Sequence, residues 1–293
     1  MTTPPDSLFD RFILPVMKAL PLDRDALSQP YRDLDWDKEC DRLRNPALAY
    51  PDYYRDTDFH GVEGGYLSPG AAVTYDPVTQ YALPPHEEWV RQTAIAQIQS
   101  KPRRILDLGC GTGSTTLMLK QAFPSAAVYG LDLSPHMLVV AAQKSQKMHL
   151  PVTWLHGNAM QTSFPDASFD LIAIALVLHE TPKAIAAQIL TESFRLLQDG
   201  GEIVILDGNQ PLLRQVDWLN DIFAEPYIRE YGAGNVSDWL RATGFEAIRV
   251  TPQWWLHQTA RAMKPISVTS KPQTEVSHSA TPAAATEPQL ATA

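Results

Sequence analysis

The sequence predicts an α/β protein built on a doubly wound sheet, on the strength of three observations. An apolar run, Ile105 to Leu108, leads directly into Gly109, Gly111 and Gly113 and then into helix-forming residues from Ser114 to Phe123. A strand, a glycine loop and a helix N-terminus in that order place a nucleotide-like ligand at the C-terminal edge of such a sheet. Short apolar segments then alternate with helix-forming ones to about residue 262, the rhythm of a parallel sheet with crossover helices. The second apolar segment, Ala127 to Asp132, ends in an acid about 20 residues beyond the glycines, where a ribose-binding carboxylate belongs.

Taken in order, residues 1 to about 45 alternate apolar and charged positions in a helical manner, broken by Pro15, Pro21 and Pro30. The face Leu8, Phe9, Phe12, Ile13, Val16 and Met17 has no basic rim, which favours packing on the catalytic core over a membrane surface. Residues 46 to 85 crowd tyrosines and Phe59 among glycines and prolines. That composition suits either a bending cover over a ligand or an extension whose rings fill their own small core. His60, Glu63 and Tyr66 are its polar candidates for facing a pocket. Trp89, Val90, Ile95 and Ile98 mark a helix between His86 and Ser100.

Beyond the glycine loop, Asp132 reads as a bidentate acceptor for ribose hydroxyls or as a cap for the helix starting near Ser134-Pro135. Strands are expected at Val152–His156 and, after a turn at Phe164–Ser168, through an apolar run that ends in Leu178-His179-Glu180. Its continuous apolar character fits a central position buried on both faces. A helix from about Pro182 to Gln198, a turn at Asp199-Gly200-Gly201 and a strand Glu202–Asp207 follow. Residues 211 to 243 read as helical with a break at Gly232 to Gly234 and an aromatic set of Trp218, Phe223, Tyr227 and Tyr231. The last sheet elements are expected near Phe245–Pro252 and Trp254–Ala262, before a tail rich in Ala, Thr, Ser and Pro that cannot repay its ordering entropy. The expected organisation is a mainly helical and irregular N-terminal extension (1–99), a ligand-binding domain (100–262) and a disordered tail (263–293).

A net charge of −9 with no Lys/Arg cluster argues against nucleic acid. Two cysteines, Cys40 and Cys110, one of them inside the glycine loop, read as free thiols of a reducing compartment, and no signal pattern opens the chain, so the expected location is cytoplasmic. The longest apolar run, Leu171 to Leu178, is too short for stable membrane insertion. No His/Cys/Asp/Glu cluster at metal-ligand spacing is evident, and no metal is expected.

The glycine spacing narrows the ligand. A dinucleotide loop wants G-x-G-x-x-G, but Ser114 stands where its third glycine belongs and Gly113 comes one residue early. Asp107, closing the strand, would repel a pyrophosphate and suit a cation. The pattern Asp107-x-Gly109-x-Gly111-x-Gly113 resembles motif I of the class I S-adenosylmethionine-dependent methyltransferases, whose donor carries an ammonium and a sulfonium. Leu131 to Leu138 is similar to the segment after motif I, Phe164 to Ala173 to motif II and Gly200 to Asp207 to motif III. The resemblance covers roughly residues 100 to 262 and looks closest to the small-molecule branch that includes quinone methyltransferases. It implies a seven-stranded sheet with the last strand antiparallel and S-adenosyl-L-methionine as cofactor. The implied contacts are Asp107, Gly109, Cys110, Gly111 and Gly113 at the loop, Asp132 at the ribose, and Leu133, Met137, Asn158 and Ala159 at the adenine. Asn158 departs from the family's aspartate there, keeping a carbonyl acceptor and losing the charge.

Methyl transfer from a sulfonium needs no acid, and a base only for hydroxyl, phenol or acidic-carbon nucleophiles. His179 is the candidate base or substrate-orienting residue, and Glu180 either orients His179 or binds a cationic substrate. His60, Tyr66 and Asp207 are expected to face the substrate, with Asn209 a lesser candidate. Ala175 to Leu178 stands where nucleobase amino-methylating enzymes often carry Asn/Asp-Pro-Pro-Tyr, which demotes that substrate class, and the resemblance implies a small-molecule acceptor. The competing readings are an NAD-dependent oxidoreductase and a non-catalytic binding module of the same fold.

Overall fold

The apolar run preceding the glycines forms β1 (Arg104–Leu108), and its Ile105, Leu106 and Leu108 are fully buried at the centre of a seven-stranded sheet in the computed structural model. The structure describes residues 31–59, 64–82, 86–216 and 226–267. The other strands among them are β2 (Ala127–Asp132), β3 (Thr153–His156), β4 (Phe169–Ala175), β5 (Leu197–Gly208), β6 (Glu246–Gln253) and β7 (His257–Met263). Their spatial order is β3-β2-β1-β4-β5-β7-β6, and β1 to β5 run parallel while β7 is antiparallel to both neighbours. The order reverses between β1 and β4, so the crevice for a ligand opens beyond the C-terminal ends of those strands.

Strand alternation divides the core in two. Ile105, Leu171, Ala173 and Val204 face α5 (Ser114–Ala122) through Leu119, and Ile95 of α4 (Glu87–Ile95) packs beside them. Leu106, Leu108, Ile172 and Ile174 face the other way, toward α7 (Lys183–Leu196) and α10 (Val236–Thr243). β4 stops at Ala175, three residues before Leu178, and Leu178–Glu180 form a 3-10 turn instead of the expected strand end. The turn expected at Asp199–Gly201 is absorbed into β5 as a bulge: Phe169 pairs with Leu197, but Leu171 already pairs with Glu202. Past the sheet's edge come α8 (Gln210–Gln215) and α9 (Ile228–Ala233).

α1 (Trp36–Leu43), the short α2 (Asp52–Arg55) and α3 (Pro69–Ala82) precede the sheet. Tyr54, Phe59, Tyr66 and Ala72 are buried against Met137 and Val140 of α6 (Pro135–Lys147), so the aromatic segment has a core that it shares with the sheet domain. Polar ties reinforce it: Lys144 Nζ lies 2.7 Å from Asp76 Oδ2, and Asn45 N donates to His156 Nδ1 at 2.9 Å. Of the residues that mark α4, Val90 is buried while Trp89 is 53% exposed beside Trp254. The expectations at 8–17, His60, Glu63, Trp218 and Phe223 and for the tail beyond residue 267 lie outside the described residues. Among the described residues no helix is long and apolar enough to cross a membrane.

Phe169 is 1% exposed and meets Phe164 and Tyr129 edge-on at ring separations of 4.8 and 5.5 Å. Phe169→Ala is expected to lower the unfolding free energy by about 3–5 kcal/mol. A urea titration with an unchanged slope checks this; a loss under 1 kcal/mol contradicts the assigned core.

Candidate active site

After β1 the chain folds back on β2, with Gly109 N and Cys110 N both donating to Leu131 O at 2.8 and 3.0 Å. Gly109 (φ +70°) and Gly111 (φ +52°) are left-handed, a conformation that disfavours any side chain. A Cβ on Gly109 would stand 2.6 Å from Val177 Cγ2, whereas one on Gly111 would meet nothing within 4 Å and project into open space. Gly113 serves packing, since a Cβ there would stand 2.5 Å from the Trp154 ring.

Two acids flank this loop. Asp132 Oδ2 accepts from Gly111 N and Oδ1 from Ser134 N, each at 2.8 Å, and each oxygen retains a second lone pair. Ser134, not Asp132, caps α6, its Oγ accepting from Met137 N. Asp107 is 1% exposed; its Oδ2 accepts from Thr116 Oγ1 at 2.6 Å, while its Oδ1 is buried with no hydrogen-bond partner among the described residues. Burial pushes the Asp107 carboxyl up to about 7, against the lowering effects of the Thr116 bond and Arg91. Burial likewise raises Asp132 to about 6, opposed by the bonds from Ser134 and Gly111.

Asp132 opens on a cleft beyond the ends of the strands. Its floor includes Asp132, Leu133, Met137, Gly157 and Ala159. Tyr53, Tyr54, Phe59, Tyr66 and Tyr75 cover it, and Val177, Glu180 and Thr181 close one end. A smaller recess, sharing Tyr75, Gly109 and Gly111 with the cleft, is lined by Asp107, Cys110, Ser114, Thr115 and Arg91. Asn158 is absent from both linings: its Oδ1 accepts from Met160 N at 2.9 Å, closing a local turn. Cys110 and Cys40 are buried free thiols.

The 178–180 turn departs from the expected pairing. His179 Nδ1 donates to Asp207 Oδ1 at 2.6 Å, so Asp207 rather than Glu180 orients the imidazole. Asp207 also accepts from Leu178 N at 2.9 Å and is 1% exposed beneath the turn, away from the cleft surface where it was expected. His179 packs edge-on to Tyr231 and does not line the cleft. Glu180 does, with Oε1 accepting from Tyr66 Oη at 2.7 Å. His60 lies outside the described residues.

Arg91 is the polar residue that the sequence reading missed. It is buried on α4, with Nε 2.8 Å from Glu87 Oε1 and Nη1 donating to Thr115 Oγ1. The signal was available in the spacing: Glu87, Val90, Arg91 and Ala94 share one helical face, and a charged pair four apart on an apolar face implies an inward-facing ion pair.

A family profile described as a methyltransferase domain matches residues 105–201. The demethylmenaquinone methyltransferase of Anoxybacillus flavithermus is 34% identical over 191 residues, 57% of this chain and 80% of that protein. Its namesake from a Geobacillus species is 38% identical over 130 residues, 44% of this chain and 55% of that protein. Among solved structures, a SAM-dependent methyltransferase from Aquifex aeolicus superposes with a TM-score of 0.52 at 19% identity, covering 67% of this chain and 98% of that one. Human N-acetylserotonin methyltransferase in complex with SAM gives 0.55 at 17%, covering 78% and 65%; at such identities the likeness speaks for the fold. By its sequence relatives, then, this chain belongs to the class I S-adenosylmethionine-dependent methyltransferases and uses S-adenosylmethionine as its cofactor.

Proposed function

We propose that the protein transfers a methyl group from S-adenosylmethionine to a planar small-molecule acceptor by in-line displacement in the aromatic-roofed cleft. The unpartnered, buried Oδ1 of Asp107 carries the reading. A buried carboxylate oxygen without a donor is costly in an isolated fold, and a ligand ammonium in the adjoining recess supplies the missing donor. Arg91, across the same recess, offers a guanidinium to the carboxylate at that end of the cofactor. The spare lone pairs of Asp132 suit the ribose hydroxyls, and Leu133, Met137 and Ala159 offer apolar contact to the adenine. With its side-chain oxygen committed to Met160, Asn158 leaves that edge to the backbone.

When bound, the cofactor supplies an electrophilic methyl whose leaving group is a neutral thioether, so the protein has no leaving group to protonate. Its own residues hold the acceptor in line and exclude water. Val177, Glu180 and Thr181 bound the cleft end nearest the 178–180 turn, and five aromatic rings face them. Flat aromatic faces fit a planar ring, and the relatives named above are, by name, methyltransferases of demethylmenaquinone, a quinone. Asp207 and His179 act as positioning residues beneath the turn. Mass spectrometry of cell extract incubated with the protein and methyl-deuterated S-adenosylmethionine tests the reading. A deuteromethylated small molecule supports it; cofactor binding with label reaching no extract component favours the non-catalytic alternative.

Gly111→Ala separates cofactor contact from folding. Left-handed strain costs about 1 kcal/mol and the new methyl meets no protein atom, so the melting temperature is expected to fall by only a few degrees. Because the methyl enters the cofactor's space, calorimetric affinity for S-adenosylmethionine is expected to fall at least about tenfold. Unchanged affinity removes the loop from the site.

The raised carboxyls set a pH dependence. Both Asp107 (about 7) and Asp132 (about 6) are largely protonated at pH 5.5 and ionised at pH 7.5. A cationic ligand pairs with the ionised forms, so affinity is expected to weaken as pH falls through this window, approaching roughly tenfold per unit for each group below its pKa. Calorimetry near pH 6.5 in buffers of different ionisation enthalpy is expected to detect proton release on binding. Constant affinity from pH 7.5 to 5.5 contradicts it.

A further inference from the structure

Two hollows meet at this site, and among the described residues one side chain borders both. The cleft that holds Asp132, Leu133, Met137 and Ala159 and the recess that holds Arg91, Asp107 and Thr115 share Gly109, Gly111 and Tyr75. The glycines bring backbone alone, and a Cβ on Gly111 would meet no atom within 4 Å. Tyr75 brings a ring and a hydroxyl from α3.

Contacts within the fold set its place. The ring meets Tyr66 edge-on at a centroid separation of 5.8 Å. The next residue, Asp76, accepts from Thr112 in the glycine loop and pairs with Lys144 of α6. Charges in both hollows act on the phenol: burial, then Glu180 of the cleft, raise it well above its ordinary range, and Arg91 of the recess opposes them. The hydroxyl is therefore protonated and uncharged at neutral pH. It makes no hydrogen bond to the described residues, so both of its lone pairs are available.

The connectivity of the cofactor assigns this junction. Its sulfur joins the amino-acid chain to the ribose and carries the methyl as its third substituent. With the amino-acid end in the recess and the nucleoside in the cleft, the sulfonium falls where the two hollows meet. A positive sulfur polarises the C–H bonds of its methyl so that they donate to an oxygen, and its charge favours an aromatic face. The demethylated product, S-adenosylhomocysteine, has neither the charge nor the methyl.

We infer that Tyr75 contacts the sulfonium and its methyl, and that its hydroxyl selects the charged donor over the demethylated product. Contacts to the amino-acid chain, the ribose and the adenine are common to donor and product, so a group at the sulfur is needed to tell them apart. A site without one holds its product as firmly as its donor and is blocked after each transfer. The inference rests on reading the two hollows as the cofactor site, and the experiment keeps the two apart.

The full-length native protein and Tyr75→Phe are titrated by calorimetry with S-adenosylmethionine and with S-adenosylhomocysteine. Loss of a hydroxyl that bonds to no described residue is expected to leave the melting temperature within about 2 °C and the affinity for S-adenosylhomocysteine within about twofold. The affinity for S-adenosylmethionine is expected to fall about threefold or more, so the ratio of the two affinities drops by that factor. S-adenosylmethionine with an isotope-labelled methyl gives a second readout by nuclear magnetic resonance. Its methyl protons are expected downfield in the native complex relative to Tyr75→Phe, because a C–H that donates to oxygen is deshielded while the ring is the same in both. Failure of the native protein to bind either ligand overturns the assignment of the cofactor site itself. Binding of both by the native protein, with an unchanged ratio or an unmoved methyl resonance in the variant, or with both ligands weakened equally, overturns the inference about Tyr75 alone. A Tyr75→Phe protein that no longer folds shows the hydroxyl to be structural and overturns it as well.

Discussion

Two carboxylates carried out of water at the ends of adjacent parallel strands are the constraint around which this site is arranged. Asp107 pairs in register with Gly130 of β2, and Asp132 closes β2 two residues further on, so sheet geometry alone brings both to the same edge. Desolvation opposes their ionisation, and the fold answers with Thr116 Oγ1 on one acid and two backbone N–H groups on the other. One Asp107 oxygen is left without a partner, a cost of about 1–3 kcal/mol for a buried polar group. The strands around it, with side chains at essentially zero exposure, supply the stability that tolerates it.

The aromatic segment completes the enclosure, and one residue joins its two sides. Tyr66 O accepts from Ser134 Oγ, the cap of α6, while Tyr66 Oη donates to Glu180 on the 178–180 turn. A single tyrosine thus joins the N-terminus of α6 to the 178–180 turn. Asp76 of α3 makes a second connection by accepting from Thr112 in the glycine loop and pairing with Lys144 of α6. The aromatic segment and the loop are joined by shared bonds, so the segment lines the cleft while its core is shared with the sheet domain.

Much of this was legible in the sequence because it is written in local patterns. Strand, glycine loop and helix are adjacent in the chain, and the acid-ended β2 follows at a fixed distance, so topology and cleft floor could be read together. Three features could not, because each depends on contacts between segments far apart in sequence, and a fourth turns on a local bond. Asp207 and His179 are 28 residues apart, and only the pairing of β4 with β5 brings them within 2.6 Å. Tyr66 and Glu180 are 114 apart. The turn at Asp199–Gly201 carries ordinary turn residues, yet the ladder closes around it as a bulge, because Leu197 pairs with Phe169 before it and Glu202 with Leu171 after it. Asn158 kept the acceptor that adenine recognition asks for, and a neighbouring backbone N–H took it.

The position of Asp207 explains why Glu180, and not His179, reaches the cleft. β4 ends at Ala175, and Leu176 then adopts a left-handed backbone (φ +60°), an uncommon state for a branched side chain that turns the chain sharply away from the sheet. Asp207 gathers Leu178 N and the His179 ring from below, so the imidazole is drawn toward Tyr231 and the next side chain is left on the cleft side. In methyl transfer from a sulfonium the leaving thioether takes no proton, so such chemistry rests more on holding the acceptor than on proton transfer. Glu180 is bonded by Tyr66 Oη and sits on a turn held by the bond from Leu178 N to Asp207, so its position is set by contacts within the fold.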